Sequence, residues 1–110
     1  MKVNILGTEY TIEERSIEED ALLENMDGYC DKSIHLIVIS KPSPDADLGS
    51  FEWYRKKIMR HEITHAFLYE SGIGESYQSA KQYGHDETMV DWIAAQFPKM
   101  LKVFEEVGCL

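Results

Sequence analysis

The chain has 110 residues, 44% of them hydrophobic and 28% charged. That balance suits one folded domain over residues 1–110 and excludes a disordered tail. Its 20 acidic and 11 basic residues leave a net charge of -9, whereas phosphate contacts need a basic face, so direct nucleic-acid binding is not expected.

The basic cluster of Arg55, Lys56, Lys57 and Arg60 reads as the solvated face of a helix. No apolar run reaches 18 residues, so no membrane span is expected. The N-terminus lacks the apolar region of an export signal, and a cytoplasmic location with Cys30 and Cys109 as free thiols is the expectation.

Residues 3–6 and 10–12 are β-prone around Gly7 and Thr8, which predicts a hairpin. Residues 17–25 read as a short helix. Ser16 is its N-cap, Glu19 completes a capping box, and Leu22 and Leu23 face inward. Asp27 and Gly28 mark a turn, and residues 33–39 give the clearest strand, with His35 among its apolar residues.

Residues 41–50 hold two prolines and two aspartates, which is loop chemistry. A long helix is predicted over residues 51–71 with Gly72 closing it, then a loop over residues 73–84. Asp86 can cap a further helix with Met89, Val90, Ile93, Ala94 and Phe97 inward. Pro98 is expected to break it and start a last helix striped by Met100, Leu101, Phe104 and Val107. Strands followed by helices make an α+β domain, a small sheet packed on one side by helices.

The long helix contains His61-Glu62-Ile63-Thr64-His65, the pattern H-E-x-x-H. Four residues are just over one turn, so the two imidazoles share a face and can fix half of a Zn²⁺ tetrahedron. Glu62 leans toward the remaining coordination sites, placed to take a proton from a metal-activated water. The longer motif with a third histidine is absent, because Leu68 and Ser71 stand where its glycine and histidine would be.

The downstream candidates for a third ligand are Glu70, Glu75, His85, Asp86 and Glu87. Glu70 points away from the shared face. Glu87 has the best context: it opens the next helix, with Asp91 one turn on and able to accept the outer N–H of a ligating histidine. The plainer alternatives are an acid favoured at a helix N-terminus and a site of three histidines using His85.

His61-Glu62-x-x-His65 followed by Glu87-x-x-x-Asp91 resembles the gluzincin pattern of zinc metallopeptidases. The chain resembles the minigluzincins and the related short metallopeptidases of bacteria and their phages, to which Gly28-Tyr29-Cys30-Asp31 and the stretch from Glu87 to Trp92 are also similar. The resemblance implies a zincin-like fold: a small twisted sheet against an active-site helix, a glutamate helix and a C-terminal helix. It implies Zn²⁺ on His61, His65 and Glu87, Glu62 as general base, and Asp91 behind a zinc-bound histidine.

It also implies that the strand near residues 33–39 lines the cleft and pairs with an extended peptide, as an edge strand can. Larger gluzincins stabilise the oxyanion with a Tyr and a His from outside the motif. Tyr69, Tyr77, Tyr83 and His85 are available for that role, and spacing does not choose among them. The partner implied is a peptide or protein substrate, a regulator or repressor among the options. The competing expectation is a non-catalytic, zinc-stabilised regulatory or protein-binding module of a phage or mobile element.

Overall fold

Strand-forming residues at the start of the chain build the expected hairpin. In the computed structural model, which describes residues 1–41, 49–71 and 86–107 and side chains as far as residue 102, strands β1 (Lys2–Ile5) and β2 (Thr8–Arg15) pair antiparallel. The turn lies one residue earlier than the sequence suggests. Its central residues Leu6 and Gly7 have φ of 50° and 96°, the backbone that lets a two-residue loop follow the strand twist.

Ser16 and Glu19 form the predicted box, the Glu19 N–H donating to Ser16 Oγ at 3.2 Å, but it does not open a helix over residues 17–25. Asp20 caps the chain afresh by accepting from the Leu22 N–H, and a single 3₁₀ turn (Ala21–Glu24) follows. Such short polar side chains compete with continued helix. Leu23 is buried there and Leu22 is exposed.

Strand β3 (Gly28–Asp31) comes next, where the sequence suggests only a turn. Residues 32–35 then reverse the chain into β4 (Leu36–Ser40). The strand expected from residue 33 starts late for a local reason. Asp31 Oδ1 accepts from the Ser33 N–H at 3.0 Å, and His35 takes a positive φ of 53°. The sheet order is β1-β2-β4-β3, with β4 parallel to β2 and antiparallel to β3.

Helix α1 (Phe51–Glu70) begins at Ser50, whose side chain accepts from the Trp53 N–H, and ends at Ser71, whose N–H donates to the Phe67 carbonyl at 2.9 Å. Gly72 lies outside the described residues. Ala66 closes over Ile5, Tyr10, Ile12, Ile37 and Ile39 to form the core. Helix α2 (Glu87–Val107) starts as predicted, with the Met89 N–H donating to Asp86 Oδ1 at 2.9 Å. It packs chiefly on α1. Among its described side chains Val90 and Ala94 are buried, while Met89 and Phe97 stay exposed.

Pro98 does not break the helix. The glutamate helix and the C-terminal helix are one element, so among the described residues the sheet is packed with two helices rather than three. A proline at position 98 cannot donate to the carbonyl of residue 94. The Arg60 guanidinium on α1 takes that carbonyl instead, Nε donating to Ala94 O at 2.5 Å. Among the described residues no helix is long and apolar enough to cross a membrane.

Candidate metal centre

The middle of α1 carries the H-E-x-x-H residues into a cleft of about 500 Å³ between β3, α1 and the start of α2. Glu62 and His65 are buried, at 5% and 8% exposure. The Nε2 atoms of His61 and His65 stand 3.2 Å apart. One donor atom each from His61, Glu62 and His65 lies within 4.8 Å of the others, a grouping that can hold a metal ion.

Glu87 reaches the same point from α2. Its Oε2 lies 3.0 Å from His61 Nε2 and its Oε1 3.0 Å from His65 Nε2. Donors around a tetrahedral ion with bonds of about 2.0–2.1 Å sit about 3.3 Å apart. The two imidazoles and the Glu87 carboxylate, which meets each ring through a different oxygen, converge at 3.0–3.2 Å, near that spacing. Glu62 Oε1 stands farther off, 3.8 Å from His61 Nε2. Asp91 Oδ1 is 3.3 Å from Nδ1 of His61, the nitrogen on the other side of the ring.

Glu62 provides a second, independent sign of fit. Its Oε2 is buried and has no hydrogen-bond partner among the described residues. An unsatisfied buried acceptor costs about 1–3 kcal/mol. Burial first, then the nearby Glu87 charge, push the Glu62 carboxyl up to about 8. A cation held by the histidines would oppose that push.

The other sequence candidates separate by position. Glu70 accepts from Thr8 Oγ1 and Tyr10 Oη at 2.8 Å each, and the Tyr10 bond leads in holding its carboxyl below the usual range. Asp86 is the cap of α2. Glu75, Tyr77, Tyr83, His85 and Cys109 lie outside the described residues. Tyr69 lines the cleft and stacks on His65 at 6.2 Å between ring centres. His35 sits in the turn before β4, its ring 5.1 Å from that of Tyr10. Cys30 lines the cleft as a thiol, pushed up to about 12 chiefly by burial.

Two expectations about the surroundings need correction. The strand near residues 33–39 is not an edge: β4 is paired on both sides, by β2 and β3. Among the described strands the sheet edge at the cleft is β3. The Ser40 N–H donates to the Asp27 carbonyl at 2.9 Å, which makes that pair hydrogen-bonded. Alternation then turns the N–H and C=O of Tyr29 toward β4 and those of Gly28 and Cys30 outward.

The basic cluster is also not one solvated face. Arg55 pairs with Glu14 and Glu52, Lys57 with Asp91, and Arg60 with the Ala94 carbonyl, leaving Lys56 as the exposed member.

Gly28 has a role that the sequence alone does not reveal. A Cβ there would lie 2.7 Å from the Val38 carbonyl oxygen, 3.1 Å from Ile58 Cγ2 and 3.4 Å from Glu62 Cγ. Only glycine lets β3 approach α1 this closely at the motif. The signal available was a glycine heading a β-prone Tyr-Cys pair. Lys57 carries no sequence signal beyond its place one turn before His61. No family model matches this chain, and neither a curated protein nor a solved structure does.

Proposed function

We propose that the chain is a zinc-dependent peptidase that hydrolyses extended peptide segments. The observation that carries this reading is the convergence of His61, Glu62 and His65 of α1 with Glu87 of α2, at 3.0–3.2 Å among the two imidazoles and the Glu87 carboxylate. Two neutral imidazoles and one carboxylate form a donor set suited to zinc, with a fourth position left for chemistry.

Zn²⁺ in that position would lower the pKa of a water to about 7 and polarise a carbonyl oxygen. The chain's own groups supply the rest. Glu62, beside the donors and buried, accepts the proton of the attacking water and returns it to the leaving amine as the C–N bond breaks. Asp91 accepts from the His61 Nδ1–H and so keeps the Nε2 lone pair for the metal. The outward N–H and C=O groups of Gly28 and Cys30 can hold a peptide as an added strand.

The test combines metal analysis with cleavage of a proteome-derived peptide library. One zinc per chain is expected. Glu62→Gln should keep the zinc and lower cleavage by about 10²–10⁴-fold. A chain that takes up no zinc, or cleavage indifferent to Glu62→Gln, overturns the reading. Zinc held tightly with no peptide cut would favour the stapled binding module instead.

A further inference from the structure

We infer that Lys57 is a positioning residue for His61, acting through Asp91. The inference rests on the reading of His61 as a metal ligand. The Lys57 ammonium lies 3.0 Å from Asp91 Oδ1, and His61 Nδ1 lies 3.3 Å from that same oxygen. Lys57 and His61 are one turn apart on α1, so both reach across to α2 along one line. The Lys57 side chain is 18% exposed, well below what a lysine on a solvated face shows, while Asp91 is 46% exposed.

Asp91 needs such a partner because half its surface is open to water. A carboxylate held only by a neutral imidazole would trade that bond for solvent and turn about its own axis. With the ammonium fixed on Oδ1, the oxygen facing His61 is pinned. An acceptor fixed at Nδ1 selects the tautomer with the proton there. Nε2 is then left bare and turned toward His65 and Glu87.

A role as a mere staple between helices is already filled. Val90 and Ala94 are buried in that seam, and Arg60 ties α1 to the Ala94 carbonyl.

The two ways Lys57 could act on a bound cation have opposite signs. By charge alone an ammonium repels a cation, so removing it would tighten binding. By positioning, removing it loosens binding. Zinc affinity measured by chelator competition, on wild type, Lys57→Met, Lys57→Arg, Asp91→Ala and the double variant Lys57→Met/Asp91→Ala, separates them. Outer partners of ligating histidines are worth about 10–100-fold in affinity.

Lys57→Met should therefore weaken zinc binding by about 10-fold, Lys57→Arg should restore most of it, and Lys57→Met should cost nothing further once Asp91 is gone. Equal or tighter binding by Lys57→Met overturns the inference, and so does an equal loss in the Asp91→Ala background.

A second readout needs no metal. Nitrogen chemical shifts of the His61 ring are read in a Glu87→Ala background, so that the carboxylate 3.0 Å from Nε2 does not compete for the ring proton. They should show the Nδ1–H tautomer with Lys57 present and its loss in Lys57→Met, with unfolding temperature recorded alongside. If wild type binds no zinc yet the tautomer shifts, the metal reading fails and the positioning role stands. If wild type binds zinc and the tautomer is unmoved, the positioning role fails alone.

Discussion

Helix α1 is gripped along two seams built from different materials. Toward the sheet, Ala66 meets Tyr10, Ile12, Ile37 and Ile39, none more than 4% exposed. The polar atoms at the end of that seam are satisfied, Thr8 and Tyr10 both donating to Glu70. Toward α2, Val90 and Ala94 are the buried residues among those described, and His61, His65, Lys57 and Arg60 meet Glu87, Asp91 and a carbonyl. The first seam is stabilised by apolar area removed from water, at about 25 cal/mol per Å². The ion pairs of the second, whose Glu87 and Asp91 carboxylates are open to water, contribute about 1 kcal/mol or less each.

The contrast shows how a thin domain can carry a site at all. The sheet seam anchors α1 through apolar contacts, so the flank turned toward α2 can hold a polar cluster, with Glu62 between the two seams and its Oε2 without a partner among the described residues. The sharpest way to break this comparison is to damage the sheet seam. Ile37→Ala should lower stability by about 2–5 kcal/mol, by the same amount with and without zinc. Urea melts under both conditions check this, and a loss confined to the zinc-loaded protein would merge the two seams into one.

The next effect is smaller and opposite in sign. In metal-free protein, Glu62→Gln should raise stability at pH 8 by about 2–3 kcal/mol. The rise to about 8 sets a ceiling of about 4 kcal/mol, and the amide's own unpaired buried N–H groups take back about 1–2 of it. The folded carboxyl titrates near 8 rather than at its ordinary 4.5. Its contribution is therefore fully present below pH 4.5 and is lost as pH rises toward 8. Wild type without zinc should weaken across that window, while Glu62→Gln should stay flat. A slope that persists in the variant would assign the effect to another group.

The smallest effect is expected where the seams meet. Gly28→Ala puts a methyl 2.7 Å from the Val38 backbone carbonyl oxygen, which must move, and 3.1 Å from Ile58 Cγ2, and overpacking of this kind should cost about 1–3 kcal/mol. Because Glu62 Cγ is the third atom met, resonances of Ile58 and Glu62 should move more than those of Ile37. Equal shifts throughout the core would instead spread the strain over both seams.

What could be read from the sequence followed the range of the forces involved. The α+β class, the bounds of α1, the Asp86 cap and the grouping of His61, Glu62 and His65 rest on turns and helical spacing, which are local. Strand β3 has four residues, too few for a period to show, and its place at the cleft depends on pairing with Ile37 and Val38. The interior position of β4 is likewise a property of the whole sheet.

The helix boundary expected at Pro98 failed through a long-range partner, Arg60, that no window around the proline contains. The basic run misled for a similar reason, since Glu14 and Asp91, which take up Arg55 and Lys57, come from distant parts of the chain. Of the four residues available for the oxyanion, Tyr69 lines the cleft, and Tyr77, Tyr83 and His85 fall outside the described residues.

The proline inside α2 acts as a keyway. Along an unbroken helix every interior carbonyl is already taken by the amide four residues on, so a guanidinium sliding past finds no preferred stop. Pro98 leaves one carbonyl vacant, at Ala94, and Arg60 seats there. That single notch sets how far α2 can slide along α1. Ala94 lies seven residues beyond Glu87, about 10 Å of helix, so the notch also sets the depth at which Glu87 meets the histidines. Moving the proline by one residue would shift the notch by about 100° around α2 and leave the glutamate aimed elsewhere.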